Sequence, residues 1–286
     1  MEQPVEFTSD GLQLYGILNA PAGATRGVVL VHGWSGYRIG PHRMLVEMAR
    51  RLAAKGIASL RFDLRGRGDS EGDEFTTNLD GMIADTMNAV KCLRERANVT
   101  RFGALGICSG SNVAIGAATL EQEIGELMLW SALPFQPEAQ ARTGDRTRRT
   151  RFYALEYAAK IFRAETWRKF FGGRINFGAV RRVMFGARHD RDHRNLKDSR
   201  RNVMAAFAHF RGHALFINGD RDPDAAGARE VFIPFCRDHQ IDAEFHLLEG
   251  ANHSFYSLEQ TERVLSLTLD WYLRVTHTHP AAGGAK

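Results

Sequence analysis

RFGALGICSGSNVAIGAATL, residues 101–120, is the stretch from which the rest of the chain can be read. Residues 101–107 read as a strand, and an apolar helix starts just after Cys108 and runs to about Leu120. Between them stands Gly106-Ile107-Cys108-Ser109-Gly110. A strand that turns straight into a helix lifts the residue at the turn to an apex, in a strained backbone conformation. Glycine two before and two after the apex keeps the turn free of clashes. The helix N-terminus aims N–H groups and positive dipole at that point, which favours a thiolate and any oxyanion formed beside it. Three residues compete for the apex. Ser109 would put Ile107 where a small residue is needed, and Ser111 would put Val113 there. Cys108 alone has glycine on both flanks. The alternative is a buried structural cysteine, as unpaired cysteines commonly are.

Working outward, strands and helices alternate. Residues 5–8 and 12–19 read as an edge hairpin turned by Ser9-Asp10-Gly11. GVVLV at 27–31 is a continuous apolar run, as a strand buried on both faces should be. Pro41 opens a helix whose Met44, Leu45, Met48, Ala49 and Leu52 have helical spacing, and IASLRF at 57–62 is the next strand. A helix follows over 79–96. Beyond the elbow come a strand at 126–131, a strand at 214–218, a helix near 225–239, a strand at 243–248 and a last helix over 258–275. Strands separated by helices of this length imply a mostly parallel sheet, here of about eight strands. Ligands in such sheets bind outside the carboxyl ends of the strands, so the loops found there carry the candidate chemistry.

After the 27–31 strand comes His32-Gly33-Trp34-Ser35-Gly36. The backbone N–H groups of Trp34 and Ser109 together would form an oxyanion hole. After the 214–218 strand comes Gly219-Asp220-Arg221-Asp222-Pro223, where Asp222 fits a G-x-x-D spacing for an acid that orients an imidazole and Asp220 is the fallback. After the last strand comes Glu249-Gly250-Ala251-Asn252-His253. Of eleven histidines, His253 alone falls at a strand's carboxyl end after the acid. His32 reads as structural, and His189, His193, His277 and His279 lie in polar stretches.

The order Cys108, Asp222, His253 is the nucleophile–acid–histidine order of the α/β-hydrolase superfamily, and the chain resembles that superfamily. It is most similar to the small serine-esterase and serine-aminopeptidase-like branch that includes feruloyl and cinnamoyl esterases. HGWSGYRIGPHRMLVEMARRLAAKGIASLRFDLRGRGDSEGD, residues 32–73, carries most of the likeness. It extends over about 5–133 and 213–275. The resemblance implies an α/β-hydrolase fold and makes Asp63 a structural loop residue near the site rather than a triad member. The departure is Cys108, where that branch has serine. A cysteine elbow resembles dienelactone hydrolases, polyhydroxyalkanoate synthases and some carrier-bound thioesterases. A thioester intermediate formed on Cys108 could be intercepted by amines, alcohols or thiols.

The 286 residues suit one α/β domain with an insertion. Segment 141–212 holds 19 Lys/Arg against 6 Asp/Glu, net +13, while the remainder holds 19 against 27, net −8. We therefore expect a basic helical cap over 134–212, with helices at 152–171 and 199–210, inserted into a core of 1–133 and 213–276. A disordered tail is expected at 277–286. The basic cap would attract an anionic partner: a coenzyme A thioester, phosphopantetheine, an acidic carrier protein or an acidic glycan. No basic-aromatic platform points to nucleic acid. Three cysteines without CxxC spacing argue for reduced thiols and against zinc. No apolar run can span a bilayer, and no signal peptide is read, so a cytoplasmic monomer or homodimer without metal or cofactor is expected. The expected function is ester or thioester hydrolysis through Cys108, His253 and Asp222. The alternatives are acyl transfer by the same residues, or binding without catalysis on a hydrolase scaffold.

Overall fold

The computed structural model describes residues 2–74, 76–134, 199 and 201–278. The chain divides into two compact units, Met1–Phe135 with Ser199–Lys286, and Gln136–Asp198. The second unit lies outside the described residues, as do the helix expected at 152–171 and residues 279–286 of the expected tail.

The sheet strands are β1 (Glu2–Ser9), β2 (Leu12–Asn19), β3 (Arg26–Val31), β4 (Ala58–Phe62), β5 (Arg101–Ile107), β6 (Ile124–Trp130), β7 (His213–Gly219) and β8 (Asp242–Leu248). Among the described residues the helices are α1 (Met44–Ala54), α2 (Leu79–Ala97), α3 (Ser109–Leu120), α4 (Val203–Phe207), α5 (Ala225–Asp238) and α6 (Leu258–Thr278). One eight-stranded sheet runs in the order β1-β2-β4-β3-β5-β6-β7-β8. Only β1–β2 and β2–β4 are antiparallel. The sheet order reverses at β3, which has β4 on one side and β5 on the other. The chain therefore leaves β3 and β5 toward opposite edges of the sheet, and ligands of such sheets bind at the carboxyl ends of strands at this kind of switch point.

Side chains alternate between the two faces with the strand period of two. Val29, Val31, Ala104, Leu129 and Phe216 face the layer of α2, α3, α4 and α5. Val28, Leu30, Leu105, Trp130 and Ile217 face the layer of α1 and α6. β3 and β5 are buried from their second residue onward, which is why they lack a polar alternation in sequence.

Three expectations need correction. Pro41 does not open the α-helix. Pro41–Arg43 is a 3-10 turn in which His42 and Arg43 take φ of 49° and 64°, and the α-helix starts at Met44. The last helix runs on through Thr278 and takes in the start of the expected tail. The helix expected at 199–210 is confined to Val203–Phe207, because Asn202 caps it by accepting from the Ala205 N–H at 3.0 Å. Val203, Phe207 and Phe210 are buried in the same core cluster as α3. This short helix is thus part of the core layer. A Phe207→Ala substitution should lower the unfolding free energy by about 3–5 kcal/mol, measured by urea denaturation. A change below about 1 kcal/mol would show that the helix contributes little to the core.

Candidate active site

Cys108 stands between β5 and α3 with φ 57° and ψ −124°, a conformation that L-residues avoid and that persists only when its surroundings impose it. Those surroundings are close. A Cβ on Gly106 would lie 2.4 Å from the Gly110 carbonyl oxygen, and one on Gly110 would lie 2.5 Å from the His32 carbonyl oxygen. Both flanking positions therefore exclude any side chain. The Cys108 N–H donates to the Trp130 carbonyl at 2.8 Å, which ties the apex to β6.

His253 and Asp222 meet across the ends of β7 and β8. Backbone bonds lace the two loops together, with Asp220 N–H donating to Leu248 O and Arg221 N–H to Ala251 O. Gly219 passes so close to Ala251 that a Cβ would fall 2.1 Å from its carbonyl oxygen. His253 Nδ1 then lies 2.7 Å from Asp222 Oδ2. Asp222 is buried and also accepts from the Asp224 N–H. Asp220 is exposed and has no such contact with His253. With Nδ1 engaged, Nε2 is left for Cys108, and the imidazole acts on the thiol to lower its pKa.

The charges of this pair follow from its partners. Burial opposes a thiolate at Cys108, but the His253 hydrogen bond and charge, with the Ser109 backbone N–H, outweigh it and hold the thiol below its ordinary value. Burial likewise opposes an imidazolium at His253. Hydrogen bonds to Asp222 and Cys108 outweigh that too, and push it up to about 10. Both shifts favour one state, a thiolate facing an imidazolium.

The loop after β3 supplies Trp34. Its N–H donates to Ser109 Oγ at 2.7 Å, so the two expected oxyanion-hole residues are brought together, with the hydroxyl on the Trp34 N–H. Arg67 holds Trp34 twice. Its Nε donates to the Trp34 carbonyl at 2.5 Å, and its guanidinium lies 4.8 Å from the indole centroid. Asp63 is fully buried and accepts from the backbone N–H groups of Arg38 and Asp69 and from the Arg38 guanidinium. It thereby joins this loop to the one after β4. His32 is buried, accepts at Nε2 from the Leu64 N–H, and so donates from Nδ1 to Gly33 O. Desolvation lowers its pKa, as suits a neutral structural ring.

Sequence reasoning passed over Arg67 and Ser131. Ser131 has φ 47°, is buried, and donates from Oγ to the His253 carbonyl at 2.8 Å. Its one signal was its place at the carboxyl end of the strand beside the elbow. Among the described residues no group of three or more His, Cys, Asp or Glu could hold a metal ion, and no helix is long and apolar enough to cross a membrane.

Residues 28–267 match the model of the alpha/beta hydrolase family. Esterase EstD of Thermotoga maritima is 31% identical over 137 residues, covering 46% of this chain and 32% of that protein. Thiohydrolase aneE of Aspergillus aculeatus is 30% identical over 125 residues, covering 42% and 38%. The chain spans about a third of the length of these curated relatives. Dienelactone hydrolase from Anabaena variabilis shares the fold, with a TM-score of 0.62 at 17% identity, covering 96% of this chain and 98% of that one.

The ion pair predicts that alkylation of Cys108 by iodoacetamide extends to lower pH than that of an ordinary thiol. A lowered thiol pKa keeps the thiolate present below the ordinary thiol range, and its reactivity falls only as pH drops through the lowered value. As pH rises through about 10 the imidazolium is lost, but the thiolate persists, so alkylation does not fall there. In His253→Ala, burial acts with less opposition, so alkylation at pH 7 should slow by about tenfold or more. An unchanged profile in that variant would refute the pairing.

Proposed function

Because the chain belongs to the alpha/beta hydrolase family, we propose that it hydrolyses ester or thioester bonds through Cys108, His253 and Asp222. The observation that carries this reading is the convergence of three strand-end loops. They set a strained apical cysteine against an imidazole whose other nitrogen rests on a buried carboxylate.

The Cys108 thiolate attacks the acyl carbonyl carbon. Backbone N–H donors around Ser109 and the Trp34 loop stabilise the resulting oxyanion. As the tetrahedral intermediate collapses, the bond to the alcohol or thiol breaks, and the His253 imidazolium protonates the departing oxygen or sulfur. The acyl group is then a thioester on Cys108. His253, now neutral, takes a proton from water as it attacks, and the acid and the Cys108 thiolate are released. Asp222 keeps the proton of Nδ1 in place throughout, so that Nε2 faces the reaction. The names of the relatives, an esterase and a thiohydrolase, fit this pair of leaving groups.

Cysteine at the elbow favours a second reading, transfer of the acyl group to an acceptor other than water, since a thioester is open to amines and thiols. The basic segment 141–212 would draw an anionic acyl donor such as a coenzyme A or carrier thioester. Product analysis with and without a nucleophilic acceptor separates transfer from hydrolysis.

Intact-protein mass spectrometry after exposure to p-nitrophenyl acetate and to an acyl-thioester panel should show an acyl adduct on Cys108, absent in Cys108→Ala. Binding without catalysis is the conclusion if no adduct forms and Cys108→Ala behaves as the wild type does. Asp222→Asn should reduce kcat by about 10²- to 10⁴-fold, since an amide cannot hold the charged imidazole as a carboxylate does. A variant as active as wild type would remove Asp222 from the mechanism.

A further inference from the structure

Ser109 enters the mechanism above through its backbone, yet its side chain occupies the more telling position. Ser109 Oγ accepts from the Trp34 N–H at 2.7 Å. That N–H is the donor which the β3 loop would aim at an oxyanion. It has one hydrogen, so it cannot serve the hydroxyl and an oxyanion at full strength together.

The hydroxyl has a proton of its own. Among the described residues Ser109 Oγ accepts from Trp34 and donates to nothing. A hydroxyl that accepts a hydrogen bond is polarised and donates more strongly in turn. Its surroundings point the same way. A Cβ placed on Gly33 would lie 3.3 Å from Cys108 Cβ and 3.8 Å from Ser109 Oγ. The Cys108 and Ser109 side chains thus lie close against the same face of Gly33, with the Ile107 carbonyl oxygen 3.2 Å from the same point. The Ser109 backbone N–H already acts on the Cys108 thiol, and the hydroxyl of the same residue sits beside Cys108 at Gly33.

We propose that Ser109 is a double donor to the oxyanion, through its backbone N–H and through a side-chain hydroxyl held and polarised by the Trp34 N–H. Trp34, given a direct oxyanion role in the scheme above, then acts one bond removed, as the residue that sets the hydroxyl. Arg67, which grips the Trp34 carbonyl and ring, holds that arrangement in register. The inference rests on Cys108 being the nucleophile.

The test uses the full chain and p-nitrophenyl acetate, with the acylation rate read as the burst of p-nitrophenolate in stopped flow. Ser109→Ala should acylate about 10²-fold more slowly, the loss typical of one oxyanion donor. Ser109→Thr, which keeps the hydroxyl, should recover most of the rate. Alkylation by iodoacetamide forms no oxyanion, so its pH profile should be the same in all three proteins. An Ala variant that acylates as fast as wild type, or faster, would overturn the inference and make the hydroxyl a resting cap on the Trp34 N–H. So would a loss of alkylation in parallel with acylation, or a Thr variant as slow as Ala, because both trace the effect to packing. If wild-type Cys108 forms no acyl adduct at all, the nucleophile assignment fails and takes this inference with it.

Discussion

The close approach of the β5–α3 turn to the backbone leaving β3 is the constraint on which the site depends. Gly110 lies against the carbonyls of Val31 and His32, and Gly106 lies against Gly110 itself. No side chain fits in either gap. With those contacts made, Cys108 is held at φ 57° and the start of α3 is pressed against the loop that carries Trp34. The same contact brings Ser109 Oγ within 2.7 Å of the Trp34 N–H. The strain at one residue is thus repaid by the packing of two strands and a helix, and the apex gains a position that an unstrained turn would not give it.

Charge is arranged around that apex by a second set of loops. The β7 and β8 loops are bonded to one another through backbone groups, so Asp222 and His253 arrive as a unit. Burial alone would keep both Cys108 and His253 neutral. The fully buried Asp222 carboxylate tips the balance toward the imidazolium, and the imidazolium in turn holds the thiolate. Ser131 fixes the backbone of His253 from β6, so four strand ends act on one imidazole–thiol contact. The loop after β4 supports the opposite wall through Arg67 and Asp63.

Much of this was legible in the chain alone. The apolar run of β3, the glycines around Cys108 and the alternation of strand and helix are local patterns, and each reappears as an element of the sheet. Misreadings arose at ends. Pro41 signals a helix start, but backbone in the left-handed region at His42 and Arg43 delays the helix to Met44. A basic composition suggested that 199–210 was part of a cap, whereas Phe207 is buried against the sheet layer. Composition reports charge over a segment and is blind to which side of a short helix meets the core.

The sequence by itself determined the fold class and named Cys108 as the apex, because glycine spacing and apolar periodicity are properties of neighbouring residues. It left Asp220 and Asp222 open, marked Ser131 only by its place at a strand end, and gave no sign of Arg67. Only the tertiary structure decided those, since the bonds concerned join residues 31, 122 and 33 positions apart. Such contacts are set by strand order and by the rotation of each loop where it leaves the sheet. The Ser109 hydroxyl shows the same division: its place beside Cys108 is written in the chain, and its partner, 75 residues away, is supplied by the fold.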